Sequence, residues 1–142
     1  MKILVSGSNG LLGQKLIKLL CDKGDSNVIA TARNSNRLPA GLGDYEFASM
    51  DISNEESVNE VVAQFTPDVI INTAAMTNVD QCEQDREGCW QANVASTEYL
   101  VQACEKHGVH LVHVSTDFIF DGTEGPLKED AVPNPVCFHH SS

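Results

Sequence analysis

The sequence predicts an α/β protein in which about five strands form one doubly wound parallel sheet in the order 3-2-1-4-5. Short β-branched runs alternate with longer amphipathic segments, and a glycine-rich turn follows the first run. The 142 residues are enough for one domain with its own core. Right-handed crossovers then place helices on both faces of the sheet. We therefore expect a ligand where the strand order reverses, between strands 1 and 4.

The predicted strands are short apolar runs, and the predicted helices carry apolar residues at helical spacing. The strands are Ile3–Val5, Asn27–Thr31, Tyr45–Ala48, Asp68–Asn72 and His110–Val114. The first helix is indicated by Leu12, Leu16, Leu19 and Leu20 and ends at Lys23-Gly24. The second begins with a Ser53-x-x-Glu56 capping box, continues through Val58, Val61, Val62 and Phe65, and ends at Thr66-Pro67. A third runs from about Arg86 to Lys106, and residues 34–44 are a predicted loop.

Composition and charge exclude several classes of protein. No apolar run approaches the roughly 18 residues of a membrane span, and the first apolar run stops at Ser6-Gly7, too short for a signal peptide. We therefore expect a cytoplasmic protein without a membrane partner. A net charge of −11 argues against nucleic acid as a partner, because an acidic surface repels phosphate backbones.

The five cysteines are odd in number and show no CxxC spacing. In a reducing compartment such residues are typically small buried hydrophobes. We therefore expect free, buried cysteines and no metal site.

The motif GxxGxxG lies between the first strand and the first helix, at Gly7, Gly10 and Gly13. One glycine permits the tight turn, one lets the backbone approach a pyrophosphate, and one lets helix and strand pack closely. The N-terminus of the helix offers free N–H groups to the phosphates. The sequence thus predicts a Rossmann-type site for NADP(H) or NAD(H), with Gly7, Asn9, Gly10, Leu11, Leu12 and Gly13 as cofactor-binding residues.

Arg33 stands 20 residues after Gly13, where many NAD-binding proteins have an acidic residue for the ribose 2′-hydroxyl. An arginine there pairs with a 2′-phosphate, which favours NADP(H). A solvated loop arginine is the alternative, and Arg37 is a weaker second candidate. Asp51 and Ile52, after the third strand, are predicted at the adenine edge, although Asp51 equally suits a turn before the Ser53 cap.

These residues resemble the dTDP-4-dehydrorhamnose reductase family of the extended short-chain dehydrogenase/reductase superfamily. The resemblance extends from Met1 to about Val136. It is carried by Gly7–Gly13, Met50–Ile52, Pro67–Asp80, Ala92–Val94, Val114–Gly122, Glu129-Asp130 and Pro133–Val136.

The resemblance implies roles for individual residues. Thr73, Ala74 and Ala75 would line the nicotinamide ribose, and Asn93 would lie beside the cofactor. Thr116 corresponds to the catalytic Ser/Thr, which hydrogen-bonds the substrate carbonyl and stabilises the developing alkoxide. Strand-end packing for Thr73 and a turn hydroxyl for Thr116 are the alternatives.

The resemblance fails at the C-terminal end of the chain. The family's Tyr-x-x-x-Lys motif would put its tyrosine at 139, where His139 stands, and its lysine one place beyond Ser142. We therefore expect a partial NAD(P)-binding domain at 1–136, a non-family tail at 137–142, no substrate domain, and no reductase activity in this chain alone. Truncation or a frameshift explains this pattern better than His139 as a replacement acid, because proton transfer needs a fixed donor and terminal segments are mobile.

Three functions compete on these grounds. The first is the NADP(H)-binding part of a reductase of a dTDP-4-keto sugar. The second is a non-catalytic dinucleotide-binding regulatory subunit, like that of methionine adenosyltransferase, and the third is a sugar-nucleotide epimerase relative. The segments Met50–Ile52 and Ser115–Gly122 favour the reductase over the epimerase. A homodimer is left open.

Overall fold

A computed structural model describes residues 1–116, 119–123 and 125–134. In this part of the chain five strands form one sheet in the order β3-β2-β1-β4-β5, and every neighbouring pair is parallel. The strands are β1 Lys2–Ser6, β2 Asn27–Ala32, β3 Glu46–Ser49, β4 Val69–Asn72 and β5 His110–His113. The predicted fold class and strand order are confirmed.

The helices cover both faces of this sheet. They are α1 Leu11–Lys23, α2 Glu55–Phe65, α3 Val79–Gln84, α4 Arg86–Trp90 and α5 Ser96–His107, with a π-helical turn at Gln91–Ala95 between α4 and α5. None of the described helices is both long and apolar enough to cross a bilayer. Residues 34–44 carry no helix or strand, as predicted.

Two apolar clusters lie on opposite faces of the sheet. Leu4 of β1 belongs to the cluster that includes Val58 of α2 and Leu100 of α5. Ile3 and Val5 belong to the other, which Ile17 of α1 completes. Successive strand residues point to opposite faces, so one strand supplies both clusters. A strand buried on both sides has a continuous apolar run in its sequence, and this run is what identified the central strands.

Helix α1 forms where the pattern predicted it, but its buried stripe does not match the four leucines that indicated it. Leu12 and Leu19 are 51% and 53% exposed, whereas Ile17 is fully buried. The stripe consists of Gly13, Leu16, Ile17 and Leu20, which are spaced i, i+3, i+4 and i+7. Gly24 ends the helix in the left-handed conformation, as predicted.

The predicted capping box of α2 is wrong by one residue. Asn54 is the N-cap, and its Oδ1 accepts a hydrogen bond from the Ser57 N–H at 3.0 Å. The Ser53 hydroxyl instead donates to Asp51 Oδ1 at 2.6 Å. The predicted apolar face and the end at Thr66 are both confirmed.

The long helical segment predicted from about Arg86 to Lys106 is confirmed, since α4, the π-helical turn and α5 follow one another without a gap; the π turn inside it and the short helix α3 before it were not predicted. Asn78 caps α3 and Asp85 caps α4 through side-chain oxygens. A π turn holds one more residue than an α turn, so it rotates the buried face of the residues that follow it. It leaves no break in the apolar pattern, and the sequence therefore did not reveal it.

The expectation of free cysteines is overturned for one pair. Cys82 of α3 and Cys89 of α4 form a disulfide across a Cα–Cα distance of 5.1 Å. The caps at Asn78 and Asp85 hold two short helices side by side, which spacing alone does not reveal. Disulfides are rare in reducing compartments, so this pair does not support the predicted cytoplasmic location. Cys104 is free, and burial raises the pKa of its thiol.

Candidate functional site

The glycine loop, defined as residues 7–13, lies at the carboxyl ends of three parallel strands. It joins β1 to α1, and the Ser8 N–H donates to the Thr31 carbonyl of β2 at 3.0 Å. On the other side, Gly7 packs against Ala74, which follows β4. The loop therefore occupies the point at which the strand order reverses, where open α/β sheets bind ligands.

Two of the three glycines are required by geometry. Gly7 has φ of +72°, and a Cβ there would stand 2.8 Å from the Ala74 nitrogen. A Cβ on Gly13 would collide with the Gly7 carbonyl oxygen and stand 2.7 Å from Ser8 Cα. Gly7 thus makes the turn, and Gly13 lets α1 pack closely against it, as predicted.

The N-terminus of α1 is open to an anion. Its N-cap is Gly10, which has no side chain to satisfy the first N–H groups, and the first turn contains no acidic residue. Leu11 is 78% exposed there. The positive end of the helix dipole thus faces outward. In addition, Ser8 Oγ is buried without a hydrogen-bond partner in the described part of the chain.

The segment after β2 carries two exposed cations. Arg33 follows the end of β2, and its carbonyl accepts from Ser49 Oγ at 3.1 Å. Within the described residues neither Arg33 nor Arg37 has a carboxylate within salt-bridge distance. Asn9 of the glycine loop bonds to this segment, donating to the Ser35 carbonyl and accepting from the Arg37 N–H. Both arginines therefore sit on a segment attached to the glycine loop.

Asp51 and Ile52, predicted at the adenine edge, follow β3. Asp51 Oδ1 accepts from both the N–H and the hydroxyl of Ser53, so the turn proposed as the alternative does form. Ile52 is half-buried and packs against the core cluster that includes Met50. Contact of either residue with adenine remains a prediction.

Asn72 is a central residue of the site that sequence analysis did not single out. It is 1% exposed, and its Oδ1 accepts from Ser6 Oγ and from the Ala74 N–H. Its Nδ2 lies 3.1 Å from His113 Nδ1. One amide thus joins the ends of β1, β4 and β5. The signal was an amide at the end of an apolar buried strand, where an uncompensated polar group is costly.

The residues after Asn72 form the other wall of the site. Thr73 Oγ1 donates to the Ser6 carbonyl at 2.6 Å, so its hydroxyl serves strand-end packing. Ala74 contacts Gly7, whereas Ala75 is exposed. Only small side chains fit between β4 and the glycine loop.

Asn93 lies in the π-helical turn and holds the segment after β4. Its Oδ1 accepts from the Met76 N–H at 2.8 Å, and its Nδ2 donates to the Met76 carbonyl at 3.2 Å. Nδ2 also lies 3.4 Å from Cys89 Sγ. The structure thus brings Asn93 to Met76, directly after Thr73, Ala74 and Ala75, the residues predicted to line the nicotinamide ribose.

Thr116 is exposed and follows the end of β5, at the same edge of the sheet as the glycine loop. A cavity of about 560 Å³ lies between His113 of β5 and residues of the π turn and α5. The predictions for His139 and for the tail at 137–142 lie outside the described residues.

The sequence was compared with protein families and with known proteins. The model of the RmlD substrate binding domain matches residues 1–142. A dTDP-4-dehydrorhamnose reductase of Aggregatibacter actinomycetemcomitans is 36% identical over 99% of this chain and 44% of its own length. The methionine adenosyltransferase 2 subunit beta of Xenopus laevis is 31% identical over 95% of this chain and 38% of its own length.

Solved structures give the same result for the fold. A hypothetical dTDP-4-dehydrorhamnose reductase from Sulfolobus tokodaii superposes with a TM-score of 0.86 at 33% identity, over 99% of this chain and 48% of that one. More distant structures include UDP-glucose 4-epimerases in complex with NAD, which at 23% identity or less show the fold alone.

The chain spans less than half the length of the curated relatives that it matches. Over that length both the sequence and the five-stranded Rossmann-type sheet agree with the reductases. This chain therefore belongs to the RmlD substrate-binding-domain family and is similar to the dTDP-4-dehydrorhamnose reductases in it.

Proposed function

We propose that this chain is the NADP(H)-binding part of a reductase that acts on a dTDP-linked 4-keto sugar. The observation that carries the proposal is the open N-terminus of α1 at the reversal of strand order, framed by Gly7 and Gly13. A pyrophosphate fits such a site because it accepts hydrogen bonds from backbone N–H groups and needs no side chain to approach.

Two features of the glycine loop fit a dinucleotide. Gly7 and Gly13 allow close backbone packing around the turn, which leaves the start of α1 free of side chains that would block a pyrophosphate. Ser8 Oγ, buried without a partner among the described residues, is the kind of group that a bound phosphate or its water would satisfy. Leu11 and Leu12 would contribute backbone N–H groups, while their exposed side chains would cover the ligand.

The arginines favour NADP(H) over NAD(H). The 2′-phosphate is the only group by which the two cofactors differ, and Arg33 stands where an acidic residue would otherwise hold the 2′-hydroxyl. Because the protein carries a net charge of −11, the anion must be held by local cations. Arg33 and Arg37 have no carboxylate neighbour in the described part of the chain that would compete with it.

At the other end of the cofactor, the segment 73–76 would hold the nicotinamide ribose, with Asn93 keeping that wall in place. When bound, the dinucleotide supplies the hydride. Thr116 would hydrogen-bond the carbonyl oxygen of the sugar and stabilise the negative charge that develops on it. The activity of the whole reductase, its dTDP-sugar and its cytoplasmic location belong to this proposal.

Titration calorimetry with NADPH and NADH tests the choice of cofactor. We expect Arg33→Ala to weaken NADPH binding by about 1.5–3 kcal/mol, the range for a hydrogen bond to a charged group, and to leave NADH binding nearly unchanged. Arg86→Ala is the matched control, because Arg86 pairs with Glu83 on the surface of α3 and α4. Equal losses for both cofactors on Arg33→Ala would refute the phosphate role.

The similarity to methionine adenosyltransferase 2 subunit beta favours a second candidate, a dinucleotide-binding regulatory subunit. Both candidates require the same glycine loop. They differ in Thr116, since only a reductase needs its hydroxyl. If the whole protein turns over a dTDP-4-keto sugar and Thr116→Val abolishes that turnover, the reductase stands; a protein that binds NADPH without turnover favours regulation.

A further inference from the structure

We propose that Asn9 is a positioning residue that sets the preference for a 2′-phosphate, by holding residues 33–38, here called the arginine segment, against the glycine loop. The inference rests on the proposed binding of NADP(H). It assigns Asn9 a role different from that of a direct cofactor ligand, which the sequence suggested.

Both polar atoms of the Asn9 side chain are engaged with the arginine segment. Nδ2 donates to the Ser35 carbonyl at 3.1 Å, and Oδ1 accepts from the Arg37 N–H at 2.9 Å. The Asn9 carbonyl in turn accepts from Gln14 Nε2 of α1 at 2.9 Å. One amide therefore fixes two backbone groups of the arginine segment to the loop that would carry the pyrophosphate.

The other hydrogen bonds of the arginine segment point elsewhere. Ser49 Oγ holds the carbonyl of Arg33, and Asn36 donates to the Tyr45 hydroxyl next to β3. Asn36 Oδ1 also accepts from the Leu38 N–H within the segment. These bonds fix the far side of the segment. Asn9 fixes the side that faces the glycine loop.

This arrangement matters because arginine side chains are long and exposed here. Ordering a free backbone and a long side chain on binding costs conformational entropy. A backbone already held by Asn9 has lost much of that freedom, so Arg37 would meet the phosphate from a preset position beside Arg33. NADH lacks the 2′-phosphate and gains nothing from this order. Loss of Asn9 must therefore act on selectivity, not on affinity in general.

The test is the dissociation constant of each cofactor for Asn9→Ala. We expect the Kd for NADPH to rise about tenfold, equivalent to about 1.4 kcal/mol, and the Kd for NADH to rise less than about twofold. The dependence of the NADPH Kd on salt should also weaken towards that of NADH, since a charge contact is lost. Asn59→Ala is the matched control, being the same change at an asparagine that bonds to the Glu55 carbonyl within α2, away from the site, and should leave the ratio of the two constants unchanged.

The outcomes separate the two proposals. If Arg33→Ala and Arg37→Ala leave the ratio of the NADPH Kd to the NADH Kd unchanged, recognition of the 2′-phosphate is refuted. If they raise the ratio of the NADPH Kd to the NADH Kd, but Asn9→Ala weakens both cofactors equally or weakens neither, the positioning role alone is refuted. A measurement on the unaltered protein removes any dependence on how the variant folds. Hydrogen exchange must show the Arg37 amide protected, and exchange at the rate of an open loop would overturn the inference.

Discussion

The two halves of the candidate site are built in different ways. In the half formed by β1, α1 and β2, backbone geometry makes the site: Gly7 with positive φ, and Gly13 against the turn. In the half formed by β4, the π turn and β5, side-chain amides make it: the buried Asn72 joins three strand ends, and the partly buried Asn93 holds Met76. The turn in the first half requires the absence of side chains at Gly7 and Gly13, and the second half requires particular side chains.

This difference explains which half could be found from the sequence. The glycines of the loop stand at fixed distances in sequence from the strand before them and the helix after them. The motif therefore lies within one short stretch of sequence and can be recognised there. The amides act across long separations, 17 residues from Asn93 to Met76 and 41 from Asn72 to His113. No periodicity connects residues so far apart. The resemblance to the family pointed to Asn93, whereas the only signal for Asn72 was an amide at the end of an apolar strand, which does not name its partners.

The largest effect should come from filling the space at Gly7. Gly7→Ala combines a left-handed conformation, which costs about 1–2 kcal/mol, with overpacking against Ala74, which costs about 1–3 kcal/mol. We therefore expect the free energy of unfolding in urea to fall by about 3 kcal/mol.

Gly108 provides a matched control for Gly7. Its φ is +68° against +72° at Gly7, but no atom stands within 4 Å of an added Cβ. Gly108→Ala should therefore cost only the conformational part, about 1 kcal/mol. The difference between the two variants measures the close approach of the glycine loop to the segment after β4. Equal losses would show that this approach contributes nothing to stability.

The second half has a covalent link of its own, and breaking it should have the next largest effect. The Cys82–Cys89 disulfide closes a short loop, with a sequence separation of 7. Such links stabilise by about 2–3 kcal/mol, mainly by restricting the unfolded chain. Dithiothreitol should lower the free energy of unfolding by that amount in the unaltered protein and in Cys21→Ala. It should have no effect in a variant carrying Cys82→Ala with Cys89→Ala.

Peptide mapping checks the same link directly. Trypsin cleaves after Arg86, which lies between the two cysteines. The two resulting peptides should therefore stay joined until a reductant is added. If they separate without reductant, the disulfide is absent and the cysteines behave as the free buried residues that the sequence predicted.

The fold as a whole followed from the sequence more closely than the site did. Strand order and the ends of α1 and α2 depend on apolar periodicity and on strong stop signals such as Gly24 and Pro67, which are local. The N-cap at Asn54 was missed because two neighbouring residues can both cap; in the structure Asn54 accepts from the Ser57 N–H, while the Ser53 hydroxyl donates to Asp51. The π turn and the disulfide depend on how α3 and α4 pack, and no short-range pattern encodes that packing.

The smallest of these effects, and the one most specific to the second half, concerns Asn93. Asn93→Ala removes two hydrogen bonds, one accepted from the Met76 N–H and one donated to the Met76 carbonyl. Because Met76 is partly buried, the free energy of unfolding should fall by about 1–2 kcal/mol. Asn59→Ala is the control, since Asn59 bonds within α2, to the Glu55 carbonyl, and should change stability by less than about 0.5 kcal/mol.

Hydrogen exchange then distinguishes the two halves of the site. In Asn93→Ala the Met76 amide should exchange faster, while the Gly10 amide, bonded to the Gly7 carbonyl at 2.9 Å, should keep its rate. Faster exchange at both amides would mean that the two halves open as one cooperative unit. The two halves would then differ in how they are built but not in their local stability.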